Sequence, residues 1–379
     1  MAAPAPPPAP PRQNLRFCTA ADGTRIATAS IGTGPPLVRA AHWLSHVEHD
    51  LHSPVWRPWL TELARDHQYI RYDQRGCGLS DMAVTDFSLE AWVGDLEAVV
   101  ESLGLRRFPL IGMSQGGAVA IAYAVRHPEK VSQLVLHGAY ARGALQRASS
   151  DAERLEAQTL VNLIRLGWGR DNAAFRQVFT NQFIPGGTPA QHQWWNELER
   201  LTASPENAAR TLEAFHRVDV TELARQLRVP TLVLHARGDA RVPFDEGLRL
   251  AALIPGARFV PLASDNHVLL DTEPAWPAFL AELRGFLAPS AADTGHTIGE
   301  AALTPAEREV LGLVALGLDN PAIARRLHKS EKTVRNQVSS IFDKLGVHTR
   351  AQAIVYVRDR ATVGAVTSAG TAATPPGSG

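Results

Sequence analysis

Between Pro36 and Leu287, short apolar runs alternate with longer helix-patterned segments, and this alternation constrains the chain more than any other feature. Pro36–Ala41, Tyr69–Asp73, Phe108–Gly112, Leu134–Gly138, Thr231–Ala236 and Phe259–Leu262 read as strands. Ser88–Leu103, Gly116–His127, Phe244–Ile254 and Pro274–Leu287 read as helices. Strand–helix alternation builds βαβ units around a mainly parallel sheet, the α/β class. An earlier pair, Phe17–Ala20 and Ile26–Ile31, is joined through Asp22-Gly23 and reads as a hairpin. Residues 140–226 break the alternation. They are helical in pattern, carry Trp168, Trp194 and Trp195, and predict an inserted cap.

Small-residue stretches divide the rest. Residues 1–12 predict a disordered, polyproline-like arm, 289–302 a linker and 361–379 a disordered tail. What remains is a large domain, 13–288, and a small one, 303–360. The two cysteines, Cys18 and Cys77, form no disulfide framework. No apolar run approaches the roughly 20 residues that span a bilayer, and the N-terminus lacks a secretory apolar region. A cytoplasmic protein without a membrane partner is expected.

Gly112-Met113-Ser114-Gln115-Gly116-Gly117 is a G-x-S-x-G sequence between an apolar strand and a helix. That setting suits a nucleophile elbow, in which small glycines let a tight turn expose a serine hydroxyl. Such a hydroxyl needs a base, and the base an orienting acid. Asp239 and His267 follow the ends of later strands, in the order Ser…Asp…His. With Arg71-Tyr72-Asp73-Gln74-Arg75-Gly76-Cys77-Gly78-Leu79-Ser80, these features make residues 15–288 resemble the α/β-hydrolase family. The resemblance implies Ser114 as nucleophile, His267 as base, Asp239 as its acid and the Gln115 N–H as one oxyanion donor. Relatives usually carry His-Gly after the third strand, and the next residue supplies the second donor. Here Ala41-His42 holds that place, which makes Trp43 the donor. His42 in a glycine position predicts backbone strain there, and Trp43 is a candidate pocket wall.

His42, His46, Glu48, His49, Asp50 and His52 crowd one segment, but neither H-E-x-x-H nor a close variant occurs. They read as solvated or pocket-rim side chains; no metal or cofactor is expected.

The small domain has four helical patterns. Thr304-Pro305-Ala306-Glu307 is a capping box with proline at the first helical position, and Gly317 stops that helix. Asn320-Pro321 starts a second, Ser330 caps a third ending at Gly346, and Thr349 caps a fourth over about 350–358. In the third, Val334, Val338, Ile341 and Leu345 form an apolar stripe, with Lys332, Arg335, Asn336 and Ser339 opposite. Between Pro321 and Arg350, seven Lys or Arg face two acids, a local net of +5 in a chain whose formal net charge is zero. Phosphate neutralisation requires such a patch, and Arg, Lys and Asn suit base edges in the major groove. The domain closely resembles the LuxR/FixJ/GerE-type helix-turn-helix, through Leu303-Thr304-Pro305, Glu307-Arg308-Glu309-Val310-Leu311, Gly317-Leu318, Asn320, Ile323-Ala324, Leu327, Ser330, Lys332-Thr333-Val334 and Lys344-Leu345-Gly346-Val347. Ala306 and Gln337 depart from residues common in that family. The resemblance implies a homodimer on double-stranded DNA, with Lys332, Thr333, Arg335, Asn336, Ser339 and Lys344 at the interface. The whole then reads as a transcriptional regulator whose hydrolase-like domain senses, and can hydrolyse, an unidentified small molecule. The alternative is a serine esterase with an autoregulatory DNA-binding tail.

Overall fold

The computed structural model describes residues 12–168, 170, 172–288, 303–345, 350, 353 and 354. Residues 1–11 of the expected arm, the linker and the tail lie outside the described residues, as does the fourth helix apart from Arg350, Ala353 and Ile354. The chain divides into two compact units, Met1–Leu287 and Ala288–Gly379.

The first unit is built on one eight-stranded sheet: β1 (Gln13–Thr19), β2 (Arg25–Ile31), β3 (Pro36–Arg39), β4 (Gln68–Tyr72), β5 (Phe108–Met113), β6 (Val131–His137), β7 (Thr231–Ala236) and β8 (Arg258–Leu262). Their spatial order is β1-β2-β4-β3-β5-β6-β7-β8. β1, β2 and β4 pair antiparallel, and from β4 to β8 every pairing is parallel. The expected hairpin is β1–β2, with Asp22 Oδ1 accepting from Thr24 N in its turn. β7 is buried along its whole length, as an internal parallel strand between helical layers must be.

The helices α1 (Trp56–Leu63), α2 (Leu89–Ser102), α3 (Gly116–Arg126), α9 (Thr221–Gln226), α10 (Phe244–Leu253) and α11 (Ala275–Leu287) accompany the sheet. Ser88 caps α2 through a bond from Ala91 N. Five helices follow β6 before α9: α4 (Ala144–Arg147), α5 (Asp151–Gly167), α6 (Ala173–Phe183), α7 (Pro189–Thr202) and α8 (Pro205–Arg217). They occupy the segment expected as a cap. Each of the last four starts on a polar N-cap side chain: Ser150, Asn172, Thr188 and Ser204. Trp168 and Trp195 are buried in the core.

The Arg71–Ser80 segment is a polar scaffold. Asp73 accepts from Val47 N and Leu79 N, both at 2.9 Å. Arg71 donates to Asp50 and to Val47 O. Arg75 forks onto Asp95 and also reaches Asp22. The loop after β3 is thereby fixed by buried charge-assisted bonds, which are shorter and stronger than neutral ones.

The second unit packs α12 (Pro305–Ala315), α13 (Asn320–Arg326) and α14 (Glu331–Leu345) around Val310, Val314, Ile323, Val334, Val338 and Ile341. The Thr304–Glu307 capping box is formed in both directions. Asp319, rather than Asn320, caps α13, through Ala322 N at 2.8 Å. α12 and α13 end alike, with a left-handed residue just past the helix and a bond back to its last turn: Gly317 with Leu318 N to Leu313 O, and His328 with Lys329 N to Ala324 O.

Candidate active site and nucleic-acid interface

Ser114 stands on the turn between β5 and α3 with φ +51°, a left-handed conformation that costs a non-glycine residue about 1–3 kcal/mol and is typical of functional turns. The neighbours make room for it. A β-carbon on Gly112 would come within 2.7 Å of Gly117 Cα, so strand and helix meet where only hydrogen fits.

His267, past β8, directs Nδ1 at Asp239 Oδ2, 2.7 Å away. The Asp239 side chain is buried, and its other oxygen accepts from the N–H groups of Arg241 and Val242, both at 2.8 Å. Burial opposes its charge, but His267 and these backbone donors outweigh burial and hold the carboxyl below its ordinary range. Gly138, past β6, abuts the pair: a β-carbon there would come within 2.9 Å of His267 Cε1. His137 bonds through Nε2 to His267 O; burial and the nearby His267 and His235 push it down to about 3, so it stays neutral.

Ser114, Gln115 and Trp43 line one narrow cleft with Tyr140, Phe215 and His216. The room in it for a water-sized body is about 20 Å³, enough for one water. Among the described residues, no protein group accepts from the backbone N–H of Gln115 or Trp43. The strain expected at His42 is absent; it falls at Leu44, with φ +64°. His42 instead buries its ring 4.9 Å from Trp56 and bonds through Nδ1 to Trp43 O. Burial and Arg39 push it well below its usual range.

The other histidines diverge. His49 stacks on Trp194, His46 Nδ1 accepts from His49 N, and Asp50 pairs with Arg71. No group of three or more potential metal ligands occurs among the described residues.

These features, with the sheet order, meet a decisive comparison: the family described as the alpha/beta hydrolase fold matches residues 48–274.

The chain belongs to the α/β-hydrolase family.

A non-heme haloperoxidase of Rhodococcus erythropolis is 29% identical over 263 residues, 67% of this chain and 93% of that one. The α/β-hydrolase unit also superposes on solved esterases. RhEst1 from Rhodococcus sp. ECU1013 gives a TM-score of 0.60 at 28% identity, covering 72% of this chain and 98% of that one. EaEST from Exiguobacterium antarcticum gives 0.61 at 25%, covering 71% and 98%. A second family, bacterial regulatory proteins of the luxR family, matches residues 301–357. An α/β-hydrolase domain is thus fused to a LuxR-type DNA-binding domain.

On that second domain, Lys332, Thr333, Arg335, Asn336 and Ser339 are exposed on α14, opposite buried Val334, Val338 and Ile341. The Leu345 side chain lies outside the described residues. Lys344 departs from the expected pattern. Its ammonium sits 2.7 Å from both oxygens of Glu307, which also accepts from Ser340. Lys344, expected at the DNA interface, also ties α14 to the start of α12. The Lys344 bond and the Thr304 N–H bring the Glu307 carboxyl down to about 2. Sequence reasoning missed this pair because its partners are 37 positions apart. It also missed Tyr140, Phe215 and His216, which come from the cap segment and carry no motif.

Proposed function

We propose that this chain is a transcriptional regulator that acts in the cytoplasm as a homodimer on double-stranded DNA, and that a small acyl compound bound in the Ser114 cleft alters that binding. The observation that carries the reading is the outward stripe of α14. A helix anchored by Val334, Val338 and Ile341 while presenting Lys332, Arg335 and Asn336 from its first turns suits the major groove. Thr333 and Ser339 flank that stripe and serve as further interface contacts.

In the hydrolase domain, Ser114 is the nucleophile. His267, oriented by Asp239, takes the hydroxyl proton as Ser114 attacks the acyl carbonyl, then returns it to the leaving group. The N–H groups of Gln115 and Trp43 receive the oxyanion, since neither has a protein acceptor among the described residues. The acyl-enzyme is a lasting form of the occupied state, and its hydrolysis ends the signal. A second reading, a serine esterase with an autoregulatory DNA-binding tail, is favoured by the buried Asp239–His267 pair, in which both Asp239 oxygens are hydrogen-bonded.

Paired assays separate the two. Wild type and Ser114→Ala are compared for ester hydrolysis and for retention of DNA selected from a random pool, at two salt concentrations. Loss of hydrolysis with DNA binding kept supports a regulator with a separable sensor. Failure of the wild type to retain DNA at moderate salt removes the regulator reading.

A further inference from the structure

The cleft at Ser114 holds charge that acyl transfer does not use. Arg147, at the end of α4, and Arg241, two residues beyond Asp239, both line it. Their side-chain hydrogen bonds go to neutral groups: Arg147 Nη1 to Arg142 O at 3.4 Å, and Arg241 Nη1 to Gln182 Oε1 at 3.2 Å. Each guanidinium also lies over an aromatic ring, Tyr140 at 5.8 Å and Phe183 at 5.9 Å. Among the ion pairs of the described residues, neither has a carboxylate partner. Asp239 is the nearby acid, and its two oxygens are taken by His267 and by backbone N–H groups.

His216 completes the cluster. It is 3% exposed, lines the same cleft, and its Nε2 has no partner. Burial, Arg241 and Arg147 push it down to about 3, so it remains a neutral imidazole. Two half-buried cations without a carboxylate partner beside a buried, unpartnered ring nitrogen are unfavourable by themselves. The arrangement becomes favourable when an oxyanion enters, because guanidinium forks match carboxylate and phosphate oxygens.

We infer that Arg147 and Arg241, with His216, bind an anionic oxygen group, a carboxylate or a phosphate, carried by the acyl compound that Ser114 meets. The inference rests on the reading of the Ser114 cleft as the ligand site and narrows its ligand to anionic acyl compounds. The resting cleft has room for about one water, so binding such a compound requires the residues that line it to shift.

Two measurements on the full chain test this. In the first, thermal unfolding is followed by tryptophan fluorescence in the Ser114→Ala background, with ionic strength held constant by chloride. All eight tryptophans (Trp43, Trp56, Trp59, Trp92, Trp168, Trp194, Trp195 and Trp276) precede residue 288, so the signal reports the hydrolase unit. Glutarate, inorganic phosphate and neutral dimethyl glutarate are the probes. A rise in Tm with glutarate or phosphate, absent with dimethyl glutarate and at least halved by Arg147→Gln or Arg241→Gln, supports the anion site. The effective probe distinguishes carboxylate from phosphoryl compounds. Equal effects of charged and neutral probes, or no effect of any, overturns it.

In the second, wild type and variants hydrolyse the p-nitrophenyl monoester of glutarate and p-nitrophenyl butyrate. The ratio of kcat/KM, anionic over neutral, should fall at least tenfold in Arg147→Gln and recover in part in Arg147→Lys. An unchanged ratio overturns the assignment. Absence of any hydrolysis by the wild type, with glutarate binding intact, counts against the catalytic reading and supports the anion site.

Discussion

The indole of Trp43 lies face to face with that of Trp168, ring centroids 5.4 Å apart and planes within 13°. Trp43 belongs to the loop after β3, and Trp168 directly follows α5 of the cap, where its Nε1 donates to Ala203 O. Phe179 and Phe183 meet the same Trp43 ring. The cap and the loop whose backbone is proposed to receive the oxyanion therefore meet in one aromatic cluster.

Trp168→Ala should cost about 3–5 kcal/mol of hydrolase-unit stability, the usual range for emptying a large aromatic core position. It should also lower kcat for a neutral ester at temperatures well below melting, whereas Trp168→Phe retains most of both. Calorimetry and steady-state kinetics on the pair check this. An alanine variant with lowered Tm but wild-type kcat would break the link between cap and oxyanion loop.

Asp239→Asn should leave the fold in place and reduce kcat by roughly 10³–10⁴-fold, because the amide no longer fixes the His267 tautomer. The Asp239 carboxyl sits below its ordinary value of 3.8 when folded. Its contribution to stability is thus present above the unfolded pKa and lost as pH falls through the lower folded one. Unfolding titrations between about pH 5 and 2 should show a steeper acid loss for the wild type than for the asparagine variant.

Lys344→Ala and Glu307→Gln should each loosen the DNA-binding unit, and the double change should add little to either alone, since both remove one contact. Hydrogen exchange of α12 and α14 amides reports it. Glu307 is depressed to about 2 from 4.5. The stabilisation it gives is therefore held above about pH 4.5 and lost progressively toward pH 2. Strict additivity of the two substitutions would return Lys344 to the role of a free phosphate contact.

Arg335→Ala should relax base preference, costing about 1–3 kcal/mol on sequences selected by the wild type and little on unselected ones. Its α14 neighbours Val334 and Val338 are buried, so circular dichroism should be unchanged. Uniform weakening on every sequence would assign Arg335 to the backbone instead.

His328→Gly should stabilise the second unit by about 1 kcal/mol. His328 holds φ +53°, a strained region for a side-chain-bearing residue, and glycine relieves more than it loses in entropy. The same helix-ending position after α12 already carries Gly317, at φ +81°.

The sheet was readable because its signals are local. Thr231–Ala236 needs only its own apolar run to be a buried strand, and Thr304 to Glu307 only a four-residue spacing to cap α12. Boundaries moved where neighbours extend or truncate a strand: β3 ends at Arg39, though Ala40 N still bonds to Ile111 O. Ser114, Asp239 and His267 were proposed from order and strand ends, and the Asp239–His267 bond joins two of them. Arg147 and His216, on cap helices of ordinary amphipathic pattern, and Arg241, in the loop after β7, were not, because only tertiary packing brings them to one cleft. Trp56–Leu63 was passed over for a similar reason: its aromatics lack the strand–helix rhythm on either side. His42 shows the opposite failure. A family comparison placed strain on it, whereas the chain takes up that turn at Leu44.

A resting cleft with space for a single water has a kinetic consequence. Anything larger than a water meets the Ser114 hydroxyl only after a wall of that cleft, such as Tyr140 or Phe215, is displaced.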